Sequence, residues 1–238
     1  MRVTREGNLL QLTWLPGIFP VNCYLVEEQQ ELTLIDAAMP FSVKGILAEA
    51  AKLNKPITRI VLTHAHDDHV GALDELKKQL PNAKVYISER DSALLAGDRS
   101  LRAGEPRTPI KGSVPKKVTT RADVLLHEGD TIGSLRAIST PGHTPGSMSF
   151  LDQRSGAVIA GDAFQTFRRT VVAGTVVPWF PFPALATWNK QLALASARKL
   201  LQTEPALLAV GHGDLLISPA GKISQAIKRA EQLQKGRN

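Results

Sequence analysis

Histidine is scarce in this chain, six among 238 residues, yet three fall within Thr63-His64-Ala65-His66-Asp67-Asp68-His69. Two imidazoles two residues apart, then a carboxylate and a third imidazole, crowd together nitrogen and oxygen donors that suit a divalent cation. A lone histidine is read most simply as a packed or solvent-facing side chain; four donors in one short run read as a metal-binding loop. Another histidine stands in Thr140-Pro141-Gly142-His143-Thr144-Pro145-Gly146, a loop stiffened by two prolines and freed by two glycines. Further on, the apolar run 157–160 ends in Gly161-Asp162, and the apolar run 207–210 ends in Gly211-His212-Gly213-Asp214.

Each of these donors follows an apolar run short enough to be a buried strand. A strand followed by a ligand-bearing loop, repeated along the chain, is how an α/β scaffold gathers distant residues at one rim of a sheet. Strands are expected at 9–15, 23–26, 32–35, 60–62, 85–88, 135–139, 148–151, 158–160 and 207–210. Apolar spacing of three and four predicts helices over 41–53 and 69–79. A third is expected after a Thr187 cap, and a last one opens at Ser218-Pro219. The 43% hydrophobic content can fill a large core, and the donors come from both halves of the chain, so one domain over 1–238 is expected. Cys23, the single cysteine, excludes an internal disulfide and reads as an inert, packed thiol. The first eight residues lack the apolar core of a signal peptide, and no segment approaches the ~18 apolar residues of a membrane helix. A cytoplasmic protein that does not engage a membrane is expected.

The ordered set, HxHxDH at 64–69, a PGHTPGS loop around His143, Asp162 and a late His212, resembles the metallo-β-lactamase superfamily. The likeness spans residues 36 to 212 and begins with Asp36, at the end of the run 32–35. It implies a four-layer αββα sandwich and a dinuclear centre. His64, His66 and His143 would hold one ion, Asp68, His69 and His212 the other, and Asp162 would bridge them. A hydroxide shared by the two ions would be the nucleophile toward an electrophilic carbonyl or phosphorus, since a bound dication lowers the pKa of water from about 16 to about 7. In similar enzymes the residue matching Asp68 also aims that hydroxide, and Asp36 would orient a metal-binding histidine from behind. Zinc is the default ion; the donor set also suits iron and manganese.

The resemblance is to glyoxalase-II-type thioesterases, lactonases and related hydrolases, which implies hydrolysis of a carboxylic ester, lactone or thioester of small size. Some 26 residues follow His212, fewer than the helical glutathione-binding domain of the thioesterases needs, and no tyrosine falls in 164–190 where a lactonase-like one would be sought. The position that some antibiotic-degrading relatives fill with cysteine holds Asp162. Three alternatives stand beside this reading: β-lactamase activity, a metal-dependent nuclease or phosphodiesterase suggested by the net charge of +7, and a mononuclear iron persulfide dioxygenase. Nucleic-acid binding is disfavoured, because basic and aromatic residues are not interleaved. Asp67 and Asp214 read as structural loop carboxylates, and His127 as a strand-edge residue.

Two excursions stand out. Residues 99–121 carry seven cations against Glu105 alone, and read either as a solvated loop or as a flap that draws an anionic substrate to the metals. Residues 164–188 are aromatic and proline-rich, and Phe164, Phe167, Trp179 and Phe180 are candidates for a substrate-pocket wall; covering a sheet edge or a homodimer contact is the alternative.

Overall fold

Apolar side chains alternate between two faces along the long strands, and the faces belong to different cores. A computed structural model describes residues 1–236. Seven strands form the first sheet in sequential order: β1 (Arg2–Glu6), β2 (Leu9–Trp14), β3 (Val21–Glu27), β4 (Leu32–Ile35), β5 (Ile57–Val61), β6 (Lys84–Ser88) and β7 (Val124–Leu126). Pairing is antiparallel from β1 to β4 and parallel from β4 to β7. The second sheet contains β8 (Thr131–Ile132), β9 (Leu135–Ser139), β10 (Met148–Asp152), β11 (Ala157–Ile159), β14 (Leu207–Ala209) and β15 (Leu216–Ile217). It runs in the order β15-β14-β11-β10-β9-β8, while β12 (Phe164–Gln165) and β13 (Val171–Val172) pair separately.

The period of two explains the layering. In β3, Tyr24 and Val26 join Phe150, Ile159 and Ala209 of the second sheet in a core between the sheets. Val21, Cys23 and Leu25 turn to the opposite face, with Val43 and Ile46 of α1 (Val43–Lys52) and Leu73 and Leu76 of α3 (Leu73–Gln79). In β14, Leu207 and Ala209 face inward while Leu208 meets α6 (Lys190–Leu201) and α7 (Ala220–Lys235). The result is helix, sheet, sheet, helix, the expected αββα sandwich.

Several boundaries differ from the sequence reading for local reasons. The helix expected over 69–79 is interrupted: the Gly71 N–H donates to Ala38 O at 2.9 Å, so α2 (Asp67–Val70) stops and α3 (Leu73–Gln79) starts afresh. Thr187 does not cap α6. Its hydroxyl is spent on Pro183 O, and Asn189 Oδ1 accepts from the amides of Gln191 and Leu192 instead. The elements not expected include the charged edge strand β1, several two- and three-residue strands, and α4 (Glu89–Leu95), whose first turn is capped by Ser88 Oγ. The last helix starts at Ala220, after Pro219, with no side-chain cap. Among the described residues no helix is long and apolar enough to cross a membrane.

Candidate metal centre

The strands end where the donors begin. After β5 the chain turns through His64, His66, Asp68 and His69 into α2; His143 lies between β9 and β10; Asp162 follows β11; His212 follows β14. All seven converge, and their donor atoms form three overlapping groups: His64, His66 and His143; His64, His69 and Asp162; Asp68, His69 and His212. Asp162 is central, with carboxylate oxygens 3.4 Å from His69 Nε2, 3.3 Å from His143 Nε2 and 3.2 Å from His212 Nε2. Asp68 Oδ2 lies 3.4 Å from His212 Nε2, and its side chain keeps a quarter of its surface open.

Each imidazole is oriented through its other nitrogen, which also fixes its tautomer. His69 Nδ1 donates to Asp36 Oδ2 at 2.8 Å, His212 Nδ1 to Pro20 O at 2.7 Å and His66 Nε2 to Lys111 O at 3.1 Å. The Thr63 hydroxyl donates to Asp36, so it accepts from His64 Nδ1. The Thr187 hydroxyl donates to Pro183 O, so it accepts from His143 Nδ1 at 3.2 Å. Asp36 thus organises two ligand candidates at once, and it does so from a left-handed backbone (φ 61), a conformation Asp tolerates better than most residues.

The free nitrogens are left facing one another. His66 Nδ1 lies 3.0 Å from His143 Nε2, yet the protons of both rings are committed elsewhere, so two lone pairs meet unless a cation stands between them. His64 Nε2, His69 Nε2 and Asp162 Oδ1 are buried with no hydrogen-bond partner. Unpartnered buried polar atoms are rare and expensive, so this donor set fits divalent cations. Glycine is required beside it: a Cβ on Gly211 would stand 2.0 Å from Asp162 Oδ1, and one on Gly112 2.1 Å from His66 Nε2.

Electrostatics divide the cluster. Burial holds His64 well below its ordinary pKa, helped by the neighbouring imidazoles, and brings His143 down to about 3. At His69 and His212 burial pushes the same way, but Asp162 and the other carboxylates outweigh it and raise both. Asp68 and Asp162 are lowered despite burial, by the facing histidines.

One supporting residue was missed by the sequence reading. Asp91 is fully buried on α4 and accepts from Ala65 N at 3.1 Å, Thr144 Oγ1 at 2.7 Å and Gly146 N at 2.7 Å, joining the His64–His69 loop to the His143 loop. Burial raises its pKa against those hydrogen bonds. Its sequence signal, Ser88-x-x-Asp91, is that of a helix start, which hides the second role. A polar seam holds the far side: Asn22 Nδ2 donates to Val210 O and Gly213 O, Tyr24 Oη to Val210 O, and Gln11 Nε2 to Gly213 O.

The centre opens into a cleft of about 1150 Å³. The four aromatic residues expected to wall it do not. Phe164 is buried beneath the second sheet, Phe180 is buried against Phe19 and the His212 ring, Phe167 packs on Phe180, and Trp179 is 93% exposed. The reason is local. Residues 178–181 fold back on themselves, Phe180 N bonding Val177 O and Trp179 taking a left-handed φ of 67, so the rings split between core and solvent. The wall comes instead from Phe19 and from Phe182, Pro183 and Leu185 of α5 (Phe182–Ala186), and the opposite side from the basic segment. Cys23 is buried, its thiol pushed up by burial; His127 is exposed at the end of β7; Asp67 accepts from Ser113, and Asp214 pairs with Arg2.

Residues 16–212 match the profile of the Metallo-beta-lactamase superfamily. The chain belongs to that superfamily, and it is a metal-dependent hydrolase. It is similar to the uncharacterized protein YobT of Bacillus subtilis, 58% identical over 98% of this chain and 100% of that protein. The probable metallo-hydrolase YflN of Bacillus subtilis is 29% identical over 81% of this chain and 80% of its own. Among solved structures, TTHA1623 in a di-iron-bound form superposes with a TM-score of 0.63 at 27% identity, over 88% of this chain and 95% of that one.

Proposed function

We propose that the chain hydrolyses a carboxylic ester, lactone or thioester of small size with two divalent cations. His64, His66 and His143 would hold one, Asp68, His69 and His212 the other, and Asp162 both. The observation that carries this is the set of lone pairs left facing one another after every outer nitrogen is hydrogen-bonded. Bound there, divalent cations supply Lewis acidity for a carbonyl oxygen and bring the pKa of water from about 16 to about 7. Asp68, at the open side, is held as an anion and accepts the hydrogen bond of the attacking water, which aims it. Asp36, Thr63, Thr187, Pro20 and Lys111 keep the imidazoles at fixed angles, so little reorganisation is needed as charge develops. Zinc is the proposed ion on the nitrogen-rich donor set; the di-iron form of TTHA1623 keeps iron as a second reading. Residues 1–238 act as one unit, because both sheets supply donors.

The test is elemental analysis of protein purified without chelator or added metal, then a panel of thioesters, lactones, a chromogenic β-lactam and labelled single-stranded nucleic acid. Close to two ions per chain, with ester, lactone or thioester turnover abolished by chelation, is the expected result. Less than one ion per chain, or turnover of the β-lactam or of single-stranded nucleic acid alone, overturns it.

A further inference from the structure

Arg99, Lys116 and Lys117 and four carboxylates line the cleft; the carboxylates are committed, and the three cations have no acidic partner among the described residues. Asp68 and Asp162 belong to the donor cluster. Asp67 accepts the Ser113 hydroxyl, and Asp74 takes Thr119 N at 2.9 Å, Thr119 Oγ1 at 3.0 Å and Thr120 N at 2.8 Å. Arg99 gives one N–H to Gly112 O and has no acidic partner, while Lys116 and Lys117 make no hydrogen bond or ion pair among the described residues. All three are exposed on the cleft.

Their segment is built into the fold. Glu105, the single acid in 99–121, is taken by Arg90. Trp188 Nε1 donates to Thr108 O at 2.7 Å, Asp67 N to Ser113 O at 2.8 Å, and Ile110 and Val114 are buried in the core of the first sheet. Lys111 O takes the His66 proton and Gly112 O takes Arg99, so one stretch of backbone separates that guanidinium from a metal-ligand candidate. The backbone that carries these cations is thus anchored beside the cleft, and low-dielectric walls focus their field. The opposite wall, Phe19, Phe182, Pro183 and Leu185, offers only apolar surface.

We propose that the substrate carries an anionic group, a carboxylate or a phosphate, on the part remote from the scissile bond, held by Arg99, Lys116 and Lys117 while an apolar portion lies against Phe182 and Leu185. This rests on the hydrolase reading above and narrows it to acyl compounds whose leaving group carries the anion. Arg99 still has free donors in the planar fork that matches either oxyanion, and the two lysines add charge without geometric demand.

The test uses the full, metal-loaded chain and three thioesters that share an acyl group and differ in the leaving thiol: neutral, carboxylate-bearing and phosphate-bearing. Wild type is expected to favour one anionic substrate over the neutral one by about tenfold or more in kcat/KM at low salt, with the preference shrinking as salt rises. The variant R99Q/K116Q/K117Q is expected to lose that preference, with the neutral substrate changed less than twofold. Which anionic arm leads separates carboxylate from phosphate. A parallel calorimetric titration with the non-hydrolysable thioether of the preferred substrate should show binding weakened about tenfold in the variant. Equal treatment of the three thioesters by wild type, or an anionic preference and thioether affinity unchanged in the variant, overturns the proposal. If no thioester is hydrolysed but the anionic thioether still binds through these cations, the hydrolase reading fails and the anion site stands.

Discussion

Asp162 faces both donor groups, but His64, His66 and His143 add no carboxylate to it, whereas Asp68, His69 and His212 bring one of their own. In the first group burial and imidazole–imidazole repulsion keep protons off, down to about 3 at His143. In the second, the carboxylates draw protons onto His69 and His212. The orienting partners differ as well: hydroxyls and a peptide carbonyl behind the first group, the Asp36 carboxylate and a peptide carbonyl behind the second. The two donor groups, a few ångströms apart, are therefore tuned in opposite directions, protons being disfavoured on one and favoured on the other.

The largest expected effect erases the distinction. Asp162→Ala removes the group that faces both triads, and should lower turnover by about a thousandfold or more and leave less than one ion per chain, while far-ultraviolet circular dichroism is retained. Turnover within tenfold of wild type would show that the two sites do not depend on it.

Acidification should separate the sites. Protons compete for His69 and His212 at higher pH than for His64 and His143, so lowering the pH removes the ion of the mixed site first and passes through a state with one ion per chain. Metal content after dialysis at stepped pH reads this directly, and simultaneous loss of both ions would refute it.

A smaller contrast lies behind the ligands. Asp36→Ala should weaken metal binding at the mixed site by about 10–100-fold, because it leaves His69 free to turn. Thr187→Val, which removes one neutral hydrogen bond from His143, should cost less than about tenfold at the site of His64, His66 and His143. Competition with a chromogenic chelator measures both; equal losses would mean that the charge of the orienting group is immaterial.

The sequence revealed the contiguous half of this site more fully than its support. HxHxDH is legible because its donors lie on one turn of chain, and His143, Asp162 and His212 because each terminates an apolar strand. Short apolar runs marked most interior strands, but not β1, whose charged residues sit at a solvated edge. Asp91 was invisible, since what it joins is 26 and 53 residues away in the chain. The two excursions were harder still. The aromatic segment looked like a pocket wall and is divided between core and solvent; the basic segment looked like a solvated loop or a flap, and its cations line the cleft while its backbone is pinned. Composition describes what a segment contains, whereas the direction it faces is set by non-local bonds such as Trp188 to Thr108.

The seam between β3 and the turn after β14 has a consequence for biosynthesis. His212 takes its orienting carbonyl from Pro20, 192 positions earlier, and Asn22 grips the peptides on either side of it. Closing a loop of that length opposes the contact by about 5 kcal/mol of chain entropy, offset only once both sheets have condensed. A ribosome-bound chain thus exposes the His64 run as an open chelator long before it can become a hydrolase, and competence arrives in one late step.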